Sequence, residues 1–446
     1  MNFLRPVLNN RPESSRPFAW VCFQLGLFFL ASTPLISSFF FLVPLIQGTF
    51  LRRDYFLKDK WNYPLILAAI LMVIGSYKAY SGWLAWVGLA NWIPFFWCFW
   101  GFQPYLLTRG ARKRSSLLLL AGTFPVLLTG FGQIWFGWQG PWQFLYGLII
   151  WFIDFGGNPN GRLSGLFNYA NIAGSWLAII WPFALAFLIN SSATFRNRIV
   201  SFAFTIATAI AVFLTDSRNA WAAIFIAIPF VLGPSSWFWL LPLLSAIFLL
   251  LLFSAFPVVP LELQLFARRI IPEDIWTRLN DFKYMNNRPI EATRIYQWKE
   301  AINLFLQRPW LGYGAAAFSV LYPLRQGIWH GHAHNLPLEL LVAHGIPVAI
   351  LVVGFVLLLL IISSKNCNFF GDLRNKSLAT QNLFDRAWWT AAFILVFLHG
   401  ADMPFFDSRI NLAGWILLSG LRCMLIPTNS FKKLGLSSFD DGRLVP

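Results

Sequence analysis

Apolar residues in this chain gather into long blocks, each closed by a short cluster of Arg, Lys, Gly, Pro or Asn. A helix rises about 1.5 Å per residue, so about 20 apolar residues cross the hydrocarbon core of a bilayer. By that measure twelve spanning segments are predicted, near 18–33, 35–50, 63–80, 86–107, 116–136, 168–189, 199–215, 219–233, 237–257, 335–363, 387–400 and 409–426. The first two read equally as one long helix kinked at Pro34. A further apolar run, Trp142 to Ile153, is too short to cross and reads as an interfacial or re-entrant segment.

The stretch 258–334 breaks the pattern, being polar and rich in arginine. Pro272-Glu273-Asp274 predicts the start of one helix there, with Pro at N1 and acids favoured by the dipole. A second helix, Glu291 to Gln307, places Ile295, Trp298, Ile302 and Phe305 on one stripe, expected to rest on the membrane or on the helix bundle. Arg294 lies beside that stripe, where it can aim inward. The expected fold class is therefore all-α: a polytopic integral membrane protein of about twelve transmembrane helices with one large outside (periplasmic) loop containing short helices. Its parts are nine helices over 1–257, the loop 258–334, three helices over 335–426 and a tail at 427–446.

Composition and charge sharpen this. Of the 446 residues, 57% are hydrophobic and only 12% charged, about half the charged share of a soluble domain. The net charge of +16 raises nucleic acid as a partner, but its distribution argues against one. With the N-terminus inside, 21 Lys and Arg fall in the inner segments, among them Arg5, Arg374, Lys376, Lys432, Lys433 and Arg443. Only Lys78, Arg162, Arg218 and Arg409 fall in the short outer loops, which is the positive-inside signature. Both termini are expected in the cytoplasm, and no cleavable leader is visible. None of the four cysteines falls in an outer loop, so no structural disulfide is expected.

Chemistry is expected where ionisable residues collect at the outer boundary. His332-Ala333-His334-Asn335 joins the long loop to the tenth span, with Glu339 and His344 in the first turns beyond. His330, His332 and His334 alternate and would share a face on an extended strand, yet a zinc site needs three or four ligands, and no further ligand pattern is present; no metal or cofactor is expected. Arg218, in the tight Thr215–Asn219 turn, either pairs with Asp216 or faces an anionic ligand; the cost of a cation close to the membrane interior favours the ligand. Arg162, Asn168 and Asn171 sit at the mouth of the sixth span, as helix caps or as binders of sugar hydroxyls. Asp402, Asp407 and Arg409 occupy the last outer loop, ion pairs among them included.

These residues carry a resemblance. His334-Asn335, nine intervening residues and then Gly345 are similar to the signature of the O-antigen ligase and polymerase membrane protein family, departing from it at Val348. Arg294 with Trp298, Ala301, Pro309, Gly312 and Gly314 resembles the family's long-loop pattern, and the Ser217-Arg218 turn and the Arg162…Asn168…Asn171 stretch are similar too. The resemblance implies a metal-independent, inverting glycosyltransferase of the bacterial inner membrane. It would move a glycan from a polyprenyl-diphosphate carrier to an acceptor hydroxyl of a glycolipid or glycan at the outer face. Its implied catalytic residues are His334, Arg294 and Arg218, and its substrate-binding residues are Arg162, Asn168, Asn171, Asn335, His332 and Asp402. Fixed arginines suit a diphosphate, and a neutral histidine suits the deprotonation of a hydroxyl. The alternative is a membrane transporter linked to inorganic carbon (bicarbonate) uptake, because the family's relatives include a group once linked to inorganic carbon. A transporter would place its polar groups near the bilayer midplane, whereas here they gather toward one face.

Overall fold

The computed structural model describes residues 11–280, 289–367, 369 and 382–426. The tail at 427–446, and Arg5, Arg374, Lys376, Lys432, Lys433 and Arg443 of the charge argument, lie outside them. The described chain is almost wholly helical. Its helices are α1 (Pro17–Phe29), α2 (Pro34–Arg52), α3 (Tyr63–Tyr77), α4 (Trp83–Gly88), α5 (Ile93–Gly101), α6 (Gln103–Leu106), α7 (Arg109–Trp135), α8 (Ala170–Ile189) and α9 (Phe195–Leu214). They continue as α10 (Arg218–Leu232), α11 (Trp237–Ala255), α12 (Leu261–Ile270), α13 (Glu273–Leu279), α14 (Arg294–Gln307), α15 (Ala317–Gln326), α16 (Leu336–Ser364), α17 (Leu383–His399) and α18 (Ser408–Met424).

Among the described residues, six helical stretches are long and apolar enough to cross a membrane, and they contain α2, α7, α8, α9, α11 and α16; α1 and α10 are shorter apolar helices. The differences from the expected twelve have local causes. The span near 86–107 is broken into α4, α5 and α6, because Pro94 and Pro104 open new helices and lack the N–H that would continue the old one. Pro34 likewise opens α2 as a separate helix, which folds back on α1 so that the Ser37 hydroxyl donates to the Gly26 carbonyl at 2.7 Å. The run 142–153, read as an interfacial or re-entrant segment, holds a β-hairpin: β1 (Trp142–Phe144) pairs antiparallel with β2 (Ile149–Trp151), with Trp142 opposite Trp151.

The bundle is layered. α8 is the central post, with 78% of its apolar window buried, while α11 stands at the rim with 17%. Around α8 lie fully buried aromatic side chains, including Phe167, Trp176, Phe183 and Trp388. Arg409 ties the outer end together. It pairs with Asp407, donates to the Leu166 carbonyl at 2.9 Å and stacks its guanidinium over Phe167 at 3.7 Å.

The segment from α12 to α15 holds four helices where two were expected. α14 begins at Arg294, three residues later than read from the sequence, and it packs through a different face. Gln297, Glu300, Ala301 and Leu304 are its buried residues, while Ile295 is 78% exposed and Ile302 also faces outward. Ala301 and Leu304 close a small core with Tyr313, Phe318, Tyr322 and Val342, which is why that face turns inward.

A kink in α16 docks this segment. Gly345 stands at φ +79°, and a Cβ there would lie 2.2 Å from the Trp310 carbonyl oxygen. The Ile346 N–H leaves the helix to donate to the Pro309 carbonyl at 2.8 Å, and Pro347 has no N–H to give. The carbonyls of Val342 and Ala343 accept instead from Tyr313 and Gly314, at 2.9 and 2.8 Å. The kink thereby fixes the Arg308–Gly314 turn against the helix that begins with the His334-Asn335 pair.

Candidate active site

Asp402, in the loop after α17, is the centre of the site. One carboxylate oxygen, Oδ1, lies 3.0 Å from His334 Nδ1 and accepts the Met403 N–H at 2.9 Å. The other, Oδ2, accepts from Arg294 and from the Asn171 amide, both at 3.1 Å. Four parts of the chain distant in sequence, the starts of α8, α14 and α16 and the loop after α17, meet on one carboxylate. Burial alone would raise the Asp402 pKa. The His334 hydrogen bond and the Arg294 charge overturn that and hold it well below the ordinary carboxylate range.

An ionised carboxylate only accepts, so the nitrogen of His334 that faces it carries a proton. His334 is one quarter exposed on the cavity side. Its backbone stands at φ +50°, and its own N–H donates to His332 Nδ1 at 3.2 Å. That turn takes the histidines out of the extended strand considered above. His332 and His334 pack ring edge to ring face at 4.2 Å, and His332 stacks on Phe406. Burial first, then neighbouring His334, pulls the His332 pKa down to about 3, so it stays neutral at ordinary pH. Among the described residues no group of three or more His, Cys, Asp or Glu is placed to hold a metal ion.

A second cluster surrounds Asp216, which also stands in the left-handed region at φ +51°. Arg162 donates to the carbonyls of Thr215 and Asp216, at 2.8 and 3.2 Å, and to the Asn171 side chain at 2.5 Å. Arg278 pairs with the Asp216 carboxylate at 3.0 Å and donates to its carbonyl at 2.8 Å. Arg218, the first residue of α10, donates to the Leu279 carbonyl at 3.1 Å. Asn171 joins the two clusters, accepting from Arg162 and donating to Asp402.

Both clusters line one cavity of about 820 Å³, which also takes in Asn168, Tyr169, Trp329, His330, Phe406 and Asp407. Of the nine site residues named from the sequence, eight line it: His334, Arg294, Arg218, Arg162, Asn168, Asn171, His332 and Asp402. Asn335 is used otherwise. Its oxygen caps the first turn of α16 at the Leu338 N–H, 3.0 Å away, and its amide holds the Gly400 carbonyl at 2.7 Å. Asn168 is engaged through its carbonyl, which accepts from the Asn158 amide. Arg278 was not singled out from the sequence, where nothing separates it from the other basic residues of 258–334. Its one signal is a place in the last turn of the helix that Pro272-Glu273-Asp274 opens.

Four arginines, a carboxylate-held histidine and aromatic walls in one cavity suit a large, anionic, hydroxyl-bearing ligand. Residues 202–353 match the family model described as O-Antigen ligase. That match includes Arg218, Arg278, Arg294, His332, His334 and Asn335, and stops short of Arg162, Asn168, Asn171 and Asp402. No curated protein matches the chain.

Proposed function

We propose that this membrane protein transfers a glycan from a polyprenyl-diphosphate carrier to an acceptor hydroxyl in its cavity, at the outer face of a bacterial inner membrane. The observation that carries this reading is the Asp402–His334 pair standing in the same cavity as four arginines. Arg218 and Arg294 hold the diphosphate and take up the negative charge that grows on it as the sugar leaves, where fixed cations act without reorganising. His334, with Nδ1–H on Asp402, presents its Nε2 lone pair and takes the proton of the acceptor hydroxyl. The acceptor oxygen forms its bond to the anomeric carbon as the bond to phosphate breaks, and the electron pair departs with the diphosphate. One displacement of this kind inverts the anomeric configuration. Arg162, Asn168, Asn171 and His332 face the sugar and acceptor, and Asn335 serves by setting the start of α16.

The test is the surface-glycan profile of cells lacking the gene and complemented with wild type, His334→Ala or Arg294→Ala. Loss of long-chain glycan in both variants, with carrier-linked glycan accumulating, is expected for a ligase; collapse to single repeats would mark a polymerase. Full-length glycan at wild-type level in both variants would overturn the transferase reading.

A further inference from the structure

Behind the large cavity, α16 buries two ionisable side chains that the transfer chemistry does not use. Glu339 is 6% exposed and His344 is 2% exposed. The Glu339 carboxylate makes one hydrogen bond among the described residues, accepting the Ala333 N–H at 3.0 Å. Neither ring nitrogen of His344 meets a hydrogen-bond partner within the described chain. Burying a carboxylate and an imidazole with so few partners is costly, and such groups call for a reason.

The two residues share a second cavity of about 60 Å³ with Asn91, Trp92, Met403 and Phe406. Met403 and Phe406 also line the large cavity, so the two are separated by a single wall.

On the other side of the wall stands His334 at φ +50°. A residue with a Cβ keeps that conformation only where its surroundings hold it. Asp402 holds the ring and His332 Nδ1 holds the N–H. The remaining anchor is Glu339, which grips the preceding residue, Ala333, itself fully buried.

We propose that Glu339 is the positioning residue of the His334 base, fixing the His332–Ala333–His334 turn from the spanning helix. This rests on the transfer reading above, in which His334 accepts the proton. Glu339 touches no substrate; it acts by holding Nε2 of His334 on the line of the acceptor hydroxyl.

The experiment uses the full chain in phospholipid nanodiscs. The donor is carrier-linked glycan extracted from cells lacking the gene, and membranes of those cells supply the acceptor. Glu339→Leu is expected to lower the maximal rate ~100-fold, the effect of displacing a catalytic group by about 1 Å, with the half-saturating donor concentration nearly unchanged. Amide exchange at Ala333 and His334 should accelerate in step. Glu339→Gln, whose side-chain oxygen still accepts the Ala333 N–H, should recover the rate and slow the exchange again. Wild-type rate and exchange in Glu339→Leu would overturn the positioning role, as would a folded Glu339→Gln that fails as Leu does. Should Glu339→Leu not fold, Glu339→Ala takes its place, read through rate and through exchange at Ala333. An active His334→Ala would instead sink the transfer reading itself, whereas inactive His334→Ala beside unaffected Glu339→Leu sinks only this inference.

Discussion

The two ends of the cavity are built from similar parts and are organised differently. At each end a carboxylate-bearing loop gathers cations, and at each a non-glycine residue, His334 or Asp216, stands in the left-handed region. Around Asp402 the carboxylate itself does the accepting, from a histidine, an arginine, an amide and a backbone N–H. Around Asp216 the backbone carbonyls of the turn take much of the load, from Arg162 and Arg278. One arrangement orients the ring of a histidine, while the other fixes the positions of positive charges. The first is sensitive to the chemistry of one atom pair, and the second to the shape of a turn.

The largest effect is therefore expected at the Asp402 end. His334→Ala should lower transfer by ~10²–10⁴-fold, the range for loss of a general base, in a chain that still folds. Asp402→Asn keeps the shape but can present an amide N–H to Nδ1; it should lose a similar factor, read as a fall in maximal rate with donor affinity largely kept. Near wild-type rate in either would erase the difference between the two ends.

The Asp216 end should answer differently. Arg218→Ala should weaken donor use by ~10²-fold, since a fixed cation at a growing charge is worth about that much. Arg278→Ala should cost about tenfold, chiefly through donor affinity, because this side chain acts partly by clamping the turn at Asp216. A purely rate-based loss in Arg278→Ala would place it with the proton-transfer group instead.

The smallest effects concern pH. The Asp402 pKa is lowered by folding, so its contribution to stability is present above the unfolded carboxylate value near 4 and is lost only as pH falls through the still lower folded value. Acidification from pH 7 to 5 should leave that cluster intact. The His332 pKa falls to about 3 on folding, against about 6.5 when unfolded. Between those values the unfolded chain binds the extra proton, so stability rises with pH across the window. Thermal unfolding in nanodiscs should shift to lower temperature as pH drops from 7 to 4, and His332→Asn should flatten that slope. An unchanged slope in the variant would remove His332 as its source.

Much of the site was legible in the chain because its chemistry is written in rare residues. In a sequence with few charges, His332, His334, Arg218 and Arg294 stand out at segment boundaries, and the spacing from His334-Asn335 to Gly345 marks both a helix start and its kink. Arg278 was hidden for the opposite reason, as one basic residue among nine in 258–334. Asp402 was named as a substrate-binding residue, but its place at the centre of the cluster was not legible, since only the packing of α8, α14, α16 and the loop after α17 brings four donors to it. Asn335 could have been read as a cap, for it directly precedes an apolar run. The helices were visible wherever a long apolar block ran unbroken. Reading failed where Pro94 and Pro104 divided a block, and the pairing of 142–151 as strands went unread because both partners lie within the same short apolar run. The inward face of α14 was misjudged because its small residue, Ala301, matters more to close packing than its large ones.

The most direct test of the Asp402–His334 pairing is a double-mutant cycle on purified transfer, with Asp402→Asn, His334→Ala and both together. If Asp402 acts by orienting His334, the double variant should be no slower than His334→Ala alone, because the second change removes a partner that no longer has a task. Losses that simply multiply would show two independent contributions and contradict the pairing on which the proposed mechanism stands.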